Sequence, residues 1–481
     1  MNQIIVLLIA RNFVKNTFHS KAIYGILVVL MLTVAYAAYT GWKTFKDQNR
    51  MREQFQSKAR ESWENNPDKH PHRMAHFGSF AFRIKHPLSV FDFGLESFTG
   101  NAVYLEAHKQ NTINFSEASL STGLLRFGEI SMAMLLQIIL PLVVIFLGFS
   151  AVSSDRENGT LKIILTQGGG WKEILIAKSL GLFAVVCLVL VPVMLITFAL
   201  LMESSASINV ECLGRYAGLL VVYHVFIAVV CITTVVVSAT SSSSKNALMV
   251  LLGVWLLLAV ILPRTTQAVG SYFFPTPSKI EFETAIEEDV LREGDSHNPS
   301  DPRYKHLKDS VLQAHHVESV EELPFNYSGF VMREGEKIST NIYNDHLKKL
   351  LNVYEKQNSL TKFSSFINPL TAVRNLSMAL SGTDFESYKV FQDESEAYRY
   401  QLAQKMNELQ MKFISNKKLG PSDKPYVIDR HHWKEVPDFK PSFVSIGTSL
   451  KHEIVSIIAL LLWCAGAWIV TDRISKKLKA I

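Results

Sequence analysis

Apolar residues in this chain are gathered into blocks rather than spread evenly. Six blocks approach or reach the roughly 20 mostly apolar residues that carry a helix across a bilayer. They are residues 22–42, 131–152, 180–202, 216–239, 247–263 and 453–471, and none has Asp, Lys or Arg inside its apolar run. The fifth is short and gains length only from its flanks. A soluble core can bury one such helix; six with clean interiors predict six transmembrane helices. Two long polar segments, 43–130 and 264–452, hold 277 of the 481 residues. The spans are therefore grouped as one, four and one, with a split domain between the groups. The expected fold is an all-α membrane protein: six spans with a mainly helical extracytoplasmic domain inserted between spans 1–2 and spans 5–6.

Within the polar segments, residues 44–66 read as a helix continuing the first span outward. Apolar spacing at Tyr388, Phe391, Tyr398, Leu402, Met406, Leu409 and Phe413 predicts a helix over 383–416. Residues 301–313 and 338–357 read similarly. No internal repeat or run of alternating strands stands out. Residues 1–21 set Arg11 and Lys15 among Phe13, Val14 and Phe18. That pattern predicts an amphipathic helix in the membrane interface, with a turn at His19–Ser20 into the first span. A longer, frayed first helix is the other reading.

Charge adds orientation. Arg156, Lys162, Lys172, Lys178 and Lys245 lie on one side with Arg11, Lys15, Lys21 and the basic tail at Arg473, Lys476, Lys477 and Lys479. The opposite short loop, 203–215, carries one basic residue and two acidic ones. The excess of Lys and Arg marks the cytoplasmic side. Both termini are thus expected inside, the loops 153–179 and 240–246 with them, and the two long segments outside. Mean hydropathy of +0.15 averages these unlike parts. Its apolar content excludes a disordered chain, and 4 cysteines exclude a disulfide scaffold. Nothing in a net charge of +6 points to nucleic acid.

The stretch SSDRENGTLKIILTQGGGWKEILIAK, residues 153–178, carries the functional signal. Asp155-Arg156-Glu157 is a charged cluster at the membrane exit. Asn158-Gly159 is a turn signal, and Thr160 can cap the short helix after it. Leu161, Ile163, Ile164 and Leu165 form a short apolar face that Gly168–Gly170 ends. Trp171 to Lys178 is amphipathic, with Lys172, Glu173 and Lys178 opposite Ile174, Leu175 and Ala177. A helix–turn–helix hairpin against the inner membrane face is expected.

This stretch resembles the cytoplasmic loop of ABC type-2 transporter permeases. The resemblance rests on Asp155, Arg156, Glu157, Gly159, Thr160, Leu161 and Lys178, in order and directly after the second span. In that family the loop is a coupling helix docked in a groove of the ATPase. Gly168–Gly170 departs from it, since the family often has a Pro there. HPHRMAHFGSFAF at 70–82, LEAHKQN at 105–111, WLLLAVILPR at 255–264, LPFNYSGFVM at 323–332 and NPLTAVRNLSMALSGTD at 368–384 resemble a bacterial subgroup with a large split outer domain. The resemblance implies a permease subunit, an exporter, in the bacterial cytoplasmic membrane. Its partners would be a cytoplasmic ATPase dimer, a second permease copy or a paralogous permease, membrane lipids, and an extracytoplasmic or outer-membrane partner of the outer domain. ATP and Mg²⁺ would be used by the ATPase, with no cofactor bound by this chain. The coupling set would be Asp155, Arg156, Glu157, Gly159, Thr160, Leu161, Lys172, Glu173 and Lys178.

Other chemistry is sparse. No phosphate-binding G-x-x-x-x-G-K-[ST] is present, and His452-Glu453 lacks the second His of H-E-x-x-H. No G-x-S-x-G elbow occurs. This chain is therefore expected not to be an enzyme. His72 and His76, four apart, would suit two metal ligands on one helix face. Packing or surface histidines beside Pro71 are the plainer reading, so no metal site is assigned. Pro141 and Pro192 sit mid-span as hinges or static kinks. Gln137 either lines a pathway or bonds another helix. The rival classes are a membrane-anchored extracytoplasmic enzyme or sensor, and a metal-handling permease.

Overall fold

The computed structural model describes residues 2–111, 130–204, 209–294 and 300–478, with positions 296 and 298. Lys479 and parts of the 43–130 and 203–215 segments lie outside the described residues. Among the described residues the chain is 76% helical, and six helices are long and apolar enough to cross a membrane. It is a multi-pass membrane protein by that measure.

Helix α1 (Gln3–His19) is capped by the Asn2 side chain, and Ser20 turns extended before α2 starts. It packs along the third spanning helix, Trp171–Ser204, leaving Ile4, Leu7 and Leu8 more than two-thirds exposed. α2 (Lys21–Glu64) is one unbroken helix of 44 residues, about 66 Å at 1.5 Å per residue. Its buried residues, Ile23, Leu30, Val34, Ala37, Ala38, Gly41 and Phe45, recur at helical spacing on one face. Tyr24, Val28, Val29, Leu32, Tyr36 and Tyr39 are exposed on the other. Apolar residues turned outward at this density are what hydrocarbon contact selects.

Short α3 (Pro71–Ala75) and the antiparallel strands β1 (Ser79–Phe82) and β2 (Ala102–Leu105) come next in the chain. The pair registers Ser79 on Leu105 and Phe82 on Ala102. Strands of four residues are too short for a period to register, which is why the hydropathy pattern predicts no sheet.

The second span, α4 (Met132–Glu157), opens into a π-helical turn at Leu135–Ile139, just before Pro141. The fifth, α8 (Ser244–Phe273), does the same at Leu257–Ile261, before Pro263. Proline removes an N–H and crowds the preceding turn, and the wider turn absorbs both. Side chains reach the loosened carbonyls: Trp255 Nε1 donates to Ile138 O at 3.2 Å and Asn368 Nδ2 to Leu258 O at 2.8 Å. Pro192, by contrast, lies inside an uninterrupted helix, α6 (Trp171–Ser204). Between α4 and α6 lies α5 (Thr160–Thr166). The fourth span is α7 (Val210–Thr240).

The polar segment after α8 holds α9 (Lys279–Glu293), α10 (Pro302–His315), α11 (Tyr327–Ser364), α12 (Pro369–Ser381), α13 (Phe385–Phe413) and α14 (Ile446–His452) before the last span, α15 (Ile454–Lys477). Hydropathy alone places all of 264–452 outside the bundle. In the structure α12 packs on α7 and α15, and Ala372, Val373, Leu376 and Leu380 belong to the bundle's own core. The turn before it reaches the apolar run of α15, where Trp463 Nε1 donates to Ser365 O at 3.0 Å. Phe363, Phe366 and Ile367 on that turn are exposed. With Thr371, Arg374, Asn375 and Ser377, α12 is too polar and too short to register as a span.

A buried polar chain ties this insertion to the spans. Gln137 Nε2, in the π-turn of α4, donates to Tyr223 Oη of α7 at 2.8 Å. Tyr223 Oη meets Ser377 Oγ of α12 at 2.9 Å, and Ser377 donates to Asp92 of the first long polar segment. Gln137 thus bonds a neighbouring helix. Burial raises the Asp92 carboxyl above its usual range, against the hydrogen bonds from Ser377 and Gly94. Beyond the bundle, Trp63, Met74, Ala107, Met406, Ile428 and Trp433 form a separate core, which both long segments build. All four cysteines are free thiols.

Candidate functional site

The hairpin between α4 and α6 is built from two tight turns. Gly159 has φ +77° and Gly168 φ +90°, where a side chain would strain the backbone. Gly168 N–H donates to Leu165 O and Gly169 N–H to Ile164 O, the double bond that closes a helix on a left-handed glycine. Glycine therefore serves where the resembling family often has proline. Thr160 does not cap α5: Gly159 holds that position, and the Thr160 hydroxyl donates back to Asp155 Oδ1 at 3.3 Å.

The charged cluster stitches helix ends together. Arg156 donates to Ser241 O and Ala239 O, both at 2.6 Å, at the C-terminus of α7. Glu157 accepts from Ser244 N–H and Ser244 Oγ, both at 2.8 Å, at the N-terminus of α8. Each charge faces the helix end whose dipole favours it, and each satisfies groups a helix end leaves open. Ser238 Oγ accepts from Val152 N–H and Ser153 N–H, closing α4 on α7. Lys178 is buried and donates to Asp155 and to Ala151 O. Lys172 reaches Asp472 on α15 and lies over the Trp468 ring at 5.5 Å. Glu173 accepts from Asn2 N–H at 3.2 Å.

Of the nine residues expected to form the coupling set, the structure turns several inward. Leu161 is 2% exposed, and Asp155, Arg156 and Lys178 are spent within the chain. The outer edge consists of Glu157, Asn158, Gly159 and Thr160, then Lys162, Ile163, Thr166 and Gln167. Ile163 is 55% exposed. Lys162, Asn158 and Gln167 were not among the expected residues. Their signal is the helical offset from buried Leu161, which sends neighbours at 162 and 163 outward.

A second polar constellation stands in the domain that the two long polar segments build. His72 lies on α3, and His76 stands at its C-cap. His70 is drawn away, its Nδ1 accepting the His72 N–H at 3.2 Å. Ala107 N–H donates to Ala75 O, which seats the turn after β2 against α3 and delivers His108 to the other two. One ligand atom from each of His72, His76 and His108 lies within 4.8 Å of the others. His108 has φ +63°, a costly conformation for a residue with a Cβ. Glu336 of α11 holds it there, accepting the His108 N–H at 3.1 Å and Nδ1 at 2.9 Å. Glu336 is itself buried and accepts from Arg399 Nη1 of α13 at 2.6 Å. Arg399 also donates to Glu396 and Thr340. Burial alone would raise the Glu336 carboxyl, but His108 and Arg399 outweigh it and hold it down at about 2.

Residues 279–442 match the family model described as Domain of unknown function (DUF3526). That match covers Glu336, Thr340, Glu396 and Arg399, whereas the three histidines come from the preceding half of the chain. No curated protein matches the chain.

Proposed function

We propose that the chain is the permease subunit of an ABC exporter in the bacterial cytoplasmic membrane. Both termini lie in the cytoplasm, and the domain built from the two long segments lies outside. The observation that carries this reading is the 153–178 hairpin. It has a rigid interior bonded to four spans and an exposed edge between Glu157 and Gln167. An ATPase dimer closing on ATP and Mg²⁺ would press that edge. Arg156 and Glu157 would pass the push to the α7–α8 junction, Lys178 to α6, and Lys172 to α15. Hydrolysis belongs to the ATPase in this reading, and a second permease copy or paralogue completes the assembly.

One observation favours movement of the outer domain beside passage of a cargo. α2 runs without a break from the bundle into that domain, where Trp63 Nε1 donates to Trp433 O at 3.0 Å and Arg60 Nη1 to Val436 O at 2.5 Å. A tilt of α2 at its inner end would be delivered to the outer core as a lever.

The test is reconstitution with a cytoplasmic ABC ATPase that co-purifies with the chain. Ile163→Asp and Lys162→Glu should abolish stimulation of ATP hydrolysis while expression and thermal stability persist. Gly159→Trp is a poorer probe, because it strains a left-handed turn as well as the edge. Full stimulation by both edge variants would overturn the reading, as would an ATPase indifferent to the wild-type chain.

A further inference from the structure

We propose that His72, His76 and His108 form a binding site for a divalent transition-metal ion of the zinc type on the outer domain. Such a site is independent of the permease reading. Three imidazoles converge, with ring centroids 4.8, 5.2 and 5.4 Å apart. Two come from one helical turn at i and i+4, the spacing that places two ligands on one face. The third comes from a separate element at a non-glycine left-handed position, where the backbone is strained to point it there.

The groups behind His108 distinguish this corner from histidines that merely pack. A metal-bound histidine commonly gives its other ring nitrogen to a carboxylate, which fixes the tautomer and orients the ring. Glu336 Oε2 lies 2.9 Å from His108 Nδ1, so His108 would coordinate through Nε2. The carboxylate is wholly buried and held by Arg399, which is itself held by Glu396 and Thr340. Such a support is expensive unless it positions something, because each charge has been taken out of water. Three neutral imidazoles with an open fourth position suit zinc, cobalt or copper ions and disfavour the hard, oxygen-seeking ions. His76 is exposed and His72 half-buried, so the open side faces solvent. A second group, His431, His432 and Glu435, sits on the surface of one short helix, where Glu435 is itself exposed rather than buried behind the rings. It serves as the control.

The experiment uses the full chain in detergent, without a polyhistidine tag, stripped by a chelator and titrated with Co²⁺ and then Zn²⁺. About one equivalent of Co²⁺ should bind with the visible absorption of a low-coordinate nitrogen site, and Zn²⁺ should displace it. His76→Gln and His108→Asn should abolish the absorption; asparagine tolerates the left-handed backbone, and His76 is exposed, so both should fold. Glu336→Gln should weaken Zn²⁺ about 10–100-fold, as loss of a positioning carboxylate does. His432→Gln should change nothing. Absence of Co²⁺ absorption in the folded wild-type chain overturns the proposal. So does binding that survives in His76→Gln and His108→Asn.

Discussion

The 153–178 hairpin and the histidine corner are two polar constellations of the molecule, and they are assembled in opposite ways. The hairpin is contiguous: residues 153–178 contribute its turns, its charges and its exposed edge, and distant residues enter as helix ends to be capped. The corner is composite: α3 and the turn after β2 supply the rings, while α11 and α13 supply the charges that hold them. A contiguous element can be moved as a unit and presented to a partner. A composite one is rigid only while both long segments stay packed against each other.

The largest expected effect falls on the composite region. Arg399→Ala removes the partner of two buried carboxylates, and stranding a buried charge costs about 3–5 kcal/mol. The domain built by the two long segments should become sensitive to limited proteolysis while the spans remain folded, which separates the two cores. A unit that unfolds all at once would erase the distinction.

A comparable effect should appear with acid at the seam between regions. Burial, with the Arg215 guanidinium nearby, pushes the His86 imidazole down to about 3. Its folded-state pKa lies below the value of about 6.5 in an unfolded chain. The unfolded state therefore binds the proton first, and the fold loses stability as pH falls from about 6.5 towards 3. The loss is on the order of 5 kcal/mol when complete. His86→Asn keeps an acceptor for Leu88 N–H and should flatten the dependence of the melting temperature on pH across that window.

The hairpin should be less sensitive. Arg156→Ala leaves two carbonyls at the end of α7 without their donor, one on half-buried Ser241 and one on buried Ala239, so the cost should be about 1–3 kcal/mol. Disulfide trapping between cysteines placed at 158 and 243 would report whether the α4–α8 stitch loosens. Smallest of all, Ile163→Asp should leave thermal stability within about 0.5 kcal/mol even as coupling is lost. A large destabilisation there would mean that Ile163 packs within the chain.

Legibility tracks contiguity. The spans, the break at His19–Ser20, the outward continuation of the first span and the hairpin's turns are readable because each signal sits within one stretch. The helix at 279–293 carries a local sign too, although apolar spacing does not pick it out. Ser278 and Glu281 form a reciprocal N-terminal cap, and Ser-x-x-Glu is the pattern that announces one. The seating of α12 is not readable, since its Asn, Ser and Arg residues argue for solvent until Asn375, Ser377 and Asn368 are seen bonding Ser456, Tyr223 and Leu258 O. His72 and His76 are visible as a pair. His108 is visible only as one more outer histidine, because 31 residues and a strand pair separate it from its companions.

By itself, then, the amino-acid order determined where helices could lie in a membrane, how charge gathers along the chain, and which short loop has tight turns beside a charged cluster. Those properties depend on hydropathy, helical period and local hydrogen bonding, all of which act over a few residues. Tertiary structure alone decided which charges the loop keeps for itself, which polar helix enters the bundle, and which carboxylate stands behind which histidine. Those outcomes depend on the cost of burying polar groups unpaired, and that cost can be met only by partners the chain brings from far away.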